Sequence, residues 1–324
     1  MCTWLRSAGR VLCGLQNTPS TGRECQQGSC GEIKRVQNFD ATKNFRTTVK
    51  RRSCSTEIAL CNGGKYIFDR MEKVINCFRK NPDAAARLLC FPWAGGGSIH
   101  YARWGKLVPS SVEVYAVKLP GRESRAKEPF SKSMQQIVDE VVSVLLPELR
   151  EKPFALFGHS FGAMSSYATA EYLKRVHNLE PVHLFLSGAS APYSEARKNA
   201  PKRSELSDEE FLHWLTTIGG TPPEILANPE ILKLFLPVLK ADLHVVENYQ
   251  CPRPDGPFLS CPVTCFDGKE DIPHDLQAWR DVTSGEFTVQ MLPGSHFYLK
   301  DSSNEKVILD LITKHLETAE IDYL

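Results

Sequence analysis

The chain has 324 residues, of which 42% are hydrophobic and 24% are charged. This composition is typical of a soluble globular protein that buries its core without disulfide or metal support. Its 39 basic and 38 acidic residues leave a net charge of +1, so overall charge gives no argument for binding nucleic acid or a membrane surface. No apolar run approaches the roughly 18 residues of a membrane-spanning helix, since even the stretch 232–239 is interrupted by Lys233 and Pro237.

The first 70 residues differ in composition from the rest of the chain. They carry twelve Lys and Arg against five Asp and Glu and show no sustained helix or strand period. We therefore predict a poorly ordered basic extension over 1–70, followed by one domain over 71–324. Arg6 and Arg10 precede the first acidic residue, Glu24, as in a mitochondrial transit peptide. Composition alone is a weak targeting signal, so we favour a variable start without a targeting role.

The eleven cysteines are spaced in a way that argues against a metal site or a disulfide framework. The chain has no Cys-x-x-Cys pair, and no His pair follows Cys25 and Cys30 at the spacing of a zinc finger. Cys90, Cys261 and Cys265 lie in apolar, strand-like segments. An odd number of cysteines in such positions indicates free thiols in a reducing compartment.

From about residue 74 onward, short apolar strands alternate with helical patterns. The strands are apolar runs bounded by Pro and Gly, and the helices carry apolar residues three and four positions apart. Apolar strands interleaved with helices predict an α/β fold in which a mainly parallel sheet is covered on both faces. The predicted strands are 87–91, 112–119, 154–157, 182–186, 263–266 and 287–292, and the predicted helices are 135–149, 164–174 and 304–316.

The most informative motif follows the third predicted strand, where Gly158, Ser160 and Gly162 form Gly-x-Ser-x-Gly. A strand before the motif and a helix after it are the context of a nucleophile elbow. The sharp turn exposes the serine hydroxyl at the sheet edge, and the glycines remove side chains that would clash. The helix N-terminus behind the serine favours developing negative charge. The alternative is an ordinary turn, but the strand and helix favour Ser160 as a nucleophile.

A serine nucleophile needs a base, and in this arrangement an acid and then a histidine follow the serine along the chain. His274, His296 and His315 all follow a plausible acid. His315 lies on the predicted C-terminal helix, where a packing or solvated role is expected, and His274 is expected to open a helix. His296 lies in a Gly-bearing loop after the last strand, a common position for functional residues. We predict His296 as the base, with His274 as the alternative.

Two carboxylates are candidates for the acid that orients the base. The fifth predicted strand runs into Asp267-Gly268-Lys269-Glu270-Asp271. Asp271 would end a tight Gly turn and point at His296, where it would orient the imidazole and stabilise the imidazolium. Asp267 is nearer the strand end, but an aspartate at this position is also a common turn former.

A glycine-rich loop, Pro92 to Ser98, follows the first core strand. A glycine run can cradle phosphate, but the Gly-Lys-Ser/Thr of a phosphate-binding loop is missing. In a serine hydrolase such a loop contributes one backbone N–H to the oxyanion hole, and the residue after the nucleophile contributes the other. We therefore predict an oxyanion hole built from the N–H groups of Phe161 and of either Trp93 or Ala94.

Six segments of the chain match a known family pattern, namely 90–97, 119–123, 157–162, 184–192, 219–222 and 293–299. On these segments the chain resembles the type II thioesterases of the α/β-hydrolase superfamily, in particular the animal medium-chain thioesterases of fatty acid synthase. The resemblance covers about residue 74 to the C-terminus and has no counterpart for the extension. It implies a triad of Ser160, His296 and Asp271, and it favours Asp271 over Asp267.

The resemblance also implies a function. A protein of this kind hydrolyses the thioester between an acyl chain and the phosphopantetheine thiol of an acyl carrier protein. It releases medium-chain fatty acids from cytosolic fatty acid synthase through an acyl-enzyme, without a metal or bound cofactor. We accordingly expect a cytosolic monomer whose partner is the acyl carrier protein domain of fatty acid synthase.

The segment of about 206–249 interrupts the strand pattern with amphipathic helices. These helices are predicted to form a packed cap, and the family favours a lid over an acyl channel, which is compatible with a cap. Three other functions stay open from the residues alone: a lipase or carboxylesterase acting on oxygen esters, an acyltransferase, and a non-catalytic partner of fatty acid synthase. The last fits poorly with a complete triad, because a scaffold has no need of a nucleophile elbow.

Overall fold

A single seven-stranded sheet organises the protein. The computed structural model describes residues 70–219, 221 and 223–323, so the predicted extension up to residue 69 lies outside the described residues. The strands are β1 (Ile75–Asn76), β2 (Ala86–Phe91), β3 (Val112–Val117), β4 (Phe154–His159), β5 (His183–Ser187), β6 (Val263–Gly268) and β7 (Phe287–Leu292). They lie in the order β1-β3-β2-β4-β5-β6-β7, and every neighbouring pair is parallel except β1 with β3. The predicted α/β class with a mainly parallel sheet is confirmed.

Helices connect the strands and cover the sheet. They are α1 (Ile99–Trp104), α2 (Met134–Glu151), α3 (Phe161–His177), α4 (Glu195–Lys198), α5 (Asp208–Ile218), α6 (Pro223–Leu226), α7 (Pro229–Glu247) and α8 (Ser302–Tyr323). Short 3₁₀ turns occupy Glu123–Arg125, Gln277–Val282 and Tyr298–Lys300. No helix in the described ranges combines the length and the apolar character needed to cross a membrane.

Alternating side chains of the central strands pack into two separate hydrophobic cores, one on each face of the sheet. In β2, Leu89 and Phe91 pack with residues of α2 and α3 on one face of the sheet. Leu88 and Cys90 point to the opposite face and pack with residues of α1 and α8. Because successive side chains of a strand point to opposite faces, a central strand buried on both sides is mostly apolar, which is why these strands lack the polar alternation of a surface sheet. The buried Arg87 of β2 and Glu113 of β3 are exceptions, and they pair with each other over 3.3 Å.

The helices α5, α6 and α7, here called the cap helices, lie between β5 and β6 in the chain and enclose a small core of their own. Phe211, Leu215, Phe235 and Leu239 are buried in it. Helix α7 begins where the side chain of Asn228 accepts the N–H groups of the first helical turn, which satisfies donors that have no intrahelical partner. The amphipathic segment predicted from the sequence thus forms three helices.

Several elements differ from the sequence prediction, among them α1 and α4, which were not predicted. Helix α3 begins at Phe161 rather than at 164, because the elbow turn leads directly into the helix and Gly162 in its first turn masked the helical pattern. Helix α8 extends to Tyr323. Strand β1 is only two residues long, too short to leave a period in the sequence.

The cysteines of the described ranges are free, as predicted. Cys90 and Cys265 are buried within β2 and β6, and Cys261 is buried just before β6. Burial raises the pKa of the Cys90 thiol well above its usual value. Such thiols act as small apolar side chains rather than as nucleophiles.

His183 in β5 is a buried neutral histidine that should make stability depend on pH. Its Nε2 lies 2.8 Å from the Thr264 hydroxyl, and its ring stacks on Phe185 with centroids 4.0 Å apart. Burial, assisted by the charge of His315, lowers its pKa to about 3, whereas an exposed histidine titrates near about 6.5. As pH falls below about 6.5, His183 binds a proton in the unfolded chain but not in the folded chain. The contribution of the neutral His183 to the free energy of unfolding is therefore present above that pH and is lost toward pH 3.

We therefore predict that His183→Gln flattens the acid dependence of stability. The free energy of unfolding should change with pH less steeply than in the parent protein, by about 1 kcal/mol per pH unit between roughly pH 6 and pH 4.5. Urea unfolding at several pH values measures this slope. Substitution of His213, which is exposed on α5, is the matched control and should leave the slope as it is. Identical slopes for His183→Gln and the parent would contradict the prediction.

Candidate functional site

Ser160 is the single residue of the turn between β4 and α3. Its backbone has φ +56° and ψ −115°, a conformation that costs a residue other than glycine about 1–3 kcal/mol unless its surroundings hold it. A hydrogen bond supports this backbone conformation, because the Ser160 N–H donates to the carbonyl of Ser187 at the end of β5 over 2.7 Å. Phe161 is the first residue of α3, so its N–H has no acceptor within the helix. Ser160 therefore occupies the geometry predicted for a nucleophile elbow.

The two motif glycines are required by close backbone approach on either side of the serine. A Cβ at Gly158 would lie 2.0 Å from the carbonyl oxygen of Gly162, and a Cβ at Gly162 would lie 2.4 Å from the carbonyl oxygen of Phe91. These contacts involve backbone atoms, which cannot rotate away as a side chain can. Any side chain at either position would force β4, α3 or the end of β2 apart.

His296 and Asp271 form a direct pair. His296 Nδ1 lies 2.7 Å from Asp271 Oδ2, while Asp271 Oδ1 accepts the N–H of Ile272 over 2.7 Å. Both carboxylate oxygens are thus engaged, and the Asp271 side chain is 2% exposed. A carboxylate at Nδ1 favours the tautomer in which Nε2 is free to accept a proton.

Asp267, the alternative acid from the sequence, is directed elsewhere. Its Oδ2 lies 2.9 Å from His274 Nδ1, and its Oδ1 accepts the N–H of Gly268. His274, the alternative base, was expected to open a helix, but it lies in an irregular segment against Asp267. His315 packs its ring 4.2 Å from that of His183, in the packing role expected of it.

Ser160 and His296 line two cavities that meet beside them. The catalytic cavity has a volume of about 200 Å³ and is also lined by His274 and by apolar side chains of α3 and the cap helices. The cap cavity, of about 50 Å³, lies between Trp93 and Ala94 on one side and the cap helices on the other. The nucleophile, the base and the predicted oxyanion-hole loop therefore share one site.

The glycine-rich loop is tied to cap helix α7 by a buried ion pair that sequence reasoning missed. Arg122 donates through both terminal nitrogens to the two oxygens of Asp242, each over 2.6 Å. Asp242 also accepts the N–H of Gly95 over 2.8 Å, and Arg122 donates to the carbonyl of Gly96 over 3.0 Å. The two side chains are 2% and 6% exposed. The available signal was a lone acidic residue within the apolar stripe of α7.

Glu123 holds the other end of the same loop. Its carboxylate accepts both the N–H and the hydroxyl of Ser98 at 2.9–3.1 Å, and its backbone has φ +51°. The segment from Arg122 to Glu123, recognised in the sequence only as part of a family match, thus anchors the loop that carries Trp93 and Ala94.

A hydrogen-bonded chain lies behind the base. His159 Nδ1 lies 2.8 Å from the Ser187 hydroxyl, which lies 2.5 Å from the hydroxyl of Tyr298. The His159 ring packs 4.8 Å from the ring of His296. Burial, followed by the charge of His296, lowers the pKa of His159 well below its usual value. His159 is therefore neutral, and it supports His296 without competing for its proton.

Asp271, His274 and His296 are also the group within the described ranges whose atoms could hold a metal ion, with ligand atoms within 4.8 Å of one another. The closest of these contacts is already a hydrogen bond between Asp271 and His296. A metal ion would have to replace that bond, so the arrangement suits proton transfer better than metal binding.

We predict that separating the charges of the Arg122–Asp242 pair destabilises the protein and slows chemistry at Ser160. Asp242→Asn should lower the free energy of unfolding by about 3–5 kcal/mol, because it leaves a buried guanidinium unpaired. The double variant Arg122→Met/Asp242→Leu should recover most of that stability. It should still react with a fluorophosphonate at least about tenfold more slowly than the parent, since the Gly95 N–H has lost its anchor. If the stable double variant reacted with the fluorophosphonate as fast as the parent protein, the Arg122–Asp242 pair would not be what positions the loop.

Comparison with known proteins places this geometry in a family. A family model described as a thioesterase domain matches residues 86–316. The medium-chain S-acyl fatty acid synthase thioesterase of Rattus norvegicus is 48% identical over 252 residues, which cover 78% of this chain and 96% of that protein.

Solved structures agree. The crystal structure of human thioesterase 2 is 41% identical, covers 72% of this chain and 97% of its own, and superposes with a TM-score of 0.56. The type II thioesterase BorB from the borrelidin biosynthetic cluster is 31% identical, covers 75% and 97%, and has a TM-score of 0.64. The resemblance predicted from the sequence is confirmed. The chain belongs to the thioesterase family, has its α/β-hydrolase fold, and is a thioester hydrolase.

Proposed function

We propose that the chain hydrolyses acyl thioesters held on the phosphopantetheine arm of an acyl carrier protein and releases medium-chain fatty acids during fatty acid synthesis. The observation that carries the proposal is that Ser160, in its strained turn, lines the same cavities as His296, which is hydrogen-bonded to Asp271. Similarity to a medium-chain fatty acid synthase thioesterase supports the substrate class.

In the proposed reaction, Ser160 Oγ attacks the thioester carbonyl carbon while its proton moves to Nε2 of His296. Asp271 holds the imidazole through Nδ1 and stabilises the imidazolium. The carbonyl oxygen becomes an oxyanion that accepts hydrogen bonds from the N–H of Phe161 and from that of Trp93 or Ala94. Collapse of this intermediate breaks the C–S bond, and the proton on His296 passes to the departing thiolate.

The second half of the reaction repeats the first with water as the nucleophile. His296 takes a proton from water, the resulting hydroxide attacks the acyl-enzyme ester, and the C–O bond to Ser160 breaks. Ser160 recovers its proton from His296, and the fatty acid leaves. Every bond is made and broken by side chains of this chain and water.

Four further assignments belong to the proposal. The catalytic domain spans 71–324, the cap helices act as a lid over the acyl chain, the protein acts as a monomer, and it works in the cytosol with the acyl carrier protein domain of fatty acid synthase as its partner. The apolar lining supplied by the cap helices to both cavities supports the lid role.

We predict that decanoyl-carrier protein is hydrolysed faster than a matched decanoyl oxygen ester, with an optimum among medium chain lengths. Ser160→Ala should lower turnover by roughly four orders of magnitude or more without changing the melting temperature. Ser166→Ala is the matched control, because its buried hydroxyl has no hydrogen-bond partner in the described structure. Fatty acid release measured by mass spectrometry tests both points. Equal or faster turnover of the oxygen ester would favour a carboxylesterase or lipase instead.

We predict that the two aspartates behave differently. Asp271→Asn should lower kcat by about three to four orders of magnitude, because an amide at this position favours the wrong imidazole tautomer. Asp267→Asn should lower kcat by no more than about tenfold, since its carboxylate contacts His274. Steady-state kinetics with decanoyl-carrier protein compares them. The reverse ranking would make Asp267 the acid.

A further inference from the structure

Arg197 lies where the catalytic cavity adjoins a larger one. This basic cavity has a volume of about 330 Å³ and is lined by Lys198 and Lys202 among others. Arg197, Ala200 and Val246 line both cavities. A path therefore leads from Ser160, past the Arg197 side chain, into a cavity with further cationic side chains.

The guanidinium of Arg197 is only partly satisfied. One terminal nitrogen donates to the carbonyl of Val246 over 2.8 Å, and no carboxylate of the described residues lies within ion-pair distance. The carboxylate of Glu247, which acts on Arg197 electrostatically, is already occupied. One oxygen accepts the N–H of Arg203 over 2.7 Å, and the other accepts the hydroxyl of Ser204 over 2.5 Å.

This arrangement leaves Arg197 with the capacity to bind an anion. A guanidinium has several N–H donors in a planar fork and stays charged in proteins. Burial lowers the pKa of Arg197, and the charge of Glu247 offsets only part of that effect. A half-buried cation without a direct ion-pair partner is costly, and an anion delivered by the substrate would relieve the cost when it binds.

The chemistry of the substrate limits which anion this can be. The acyl chain is uncharged, and the carboxylate of the product forms at Ser160 rather than at Arg197. The remaining anion is the phosphate at the far end of the pantetheine arm. We propose that Arg197 binds this phosphate, so that the arm runs from Ser160 through the catalytic cavity into the basic cavity. The inference rests on the proposed function and extends it to the substrate's carrier arm.

Two consequences follow from this orientation. Lys198 and Lys202 stand beyond Arg197 along the path and can add to the positive potential. Their observed contacts, such as Lys198 with Glu195 at 3.0 Å, are exposed and cost little to exchange. The acyl chain leaves Ser160 in the other direction, toward the cap cavity. That cavity is small and is lined by apolar side chains of the cap helices.

The test compares decanoyl-pantetheine with decanoyl-phosphopantetheine, two substrates that differ only in the phosphate. The parent protein should hydrolyse the phosphorylated compound with a kcat/KM about tenfold higher, through a lower KM. Arg197→Gln should remove this advantage, so that the variant hydrolyses the two compounds with the same kcat/KM. Arg197→Lys should keep part of it. Lys233→Gln is the matched control, because Lys233 is an exposed residue of α7 paired with Glu230.

Three results would overturn the inference. One is that Arg197→Gln lowers kcat/KM equally for decanoyl-pantetheine and decanoyl-phosphopantetheine, which would show a structural role for Arg197. Another is a shifted chain-length optimum in Arg197→Gln with the phosphate preference intact, which would make the catalytic cavity the acyl chamber. The third is a fall in the kcat/KM of Arg197→Gln for decanoyl-coenzyme A alone, which would show that Arg197 binds the nucleotide. Equal losses on decanoyl-coenzyme A and decanoyl-carrier protein support the shared phosphate.

Failure of the inference can be distinguished from failure of the proposed function. If Arg197 is assigned wrongly, the parent protein still cleaves decanoyl-pantetheine and only the phosphate dependence is missing. If the proposed function is wrong, the parent cleaves neither pantetheine compound, and Arg197→Gln has no effect to show.

Discussion

Strand β4, helix α3 and the end of β2 meet in a space that admits no side chain at Gly158 or Gly162, and the active site depends on that crowding. The turn between β4 and α3 is a single residue, so the backbone of Ser160 must adopt a positive φ. The packed sheet and the hydrogen bond from the Ser160 N–H to β5 offset the free-energy cost of this backbone conformation. The same geometry places the hydroxyl beyond the ends of the parallel strands, where loops from several strands converge.

The second structural principle is that the glycine-rich loop carrying Trp93 and Ala94 is fastened to a helix of the cap. Arg122 and Asp242 are both buried and are bonded to each other as well as to the backbone of the glycine-rich loop. A buried pair of this kind adds little net stability compared with apolar side chains, but it defines geometry, since either charge alone is strongly unfavourable. The cap and the glycine-rich loop are thereby held together through the Asp242 carboxylate, which accepts hydrogen bonds from both Arg122 and Gly95.

Each of the two carboxylates near His296 makes its shortest contact with a different imidazole, although His274 also lies 3.8 Å from Asp271. Asp271 serves His296, Asp267 contacts His274, and His159 remains neutral behind them. Arg197 stands apart as a half-buried cation on the wall of the catalytic cavity. The site therefore combines a hydrogen-bonded His296–Asp271 pair at its centre with a positive charge at Arg197, which is the distribution that the proposed substrate, a neutral thioester on an anionic arm, would require.

The sequence by itself determined the α/β class, the elbow at Ser160 and a short set of histidines and aspartates, because these features are local. Strand period, glycine spacing and the step from strand to helix are constrained within a few residues. Only the tertiary structure decided that Asp271 rather than Asp267 meets His296, that Arg122 pairs with Asp242, and that Arg197 borders the catalytic cavity. These partners are brought together by sheet order and helix packing from distant parts of the chain. No local sequence pattern predicts these contacts, because they depend on how the whole core packs.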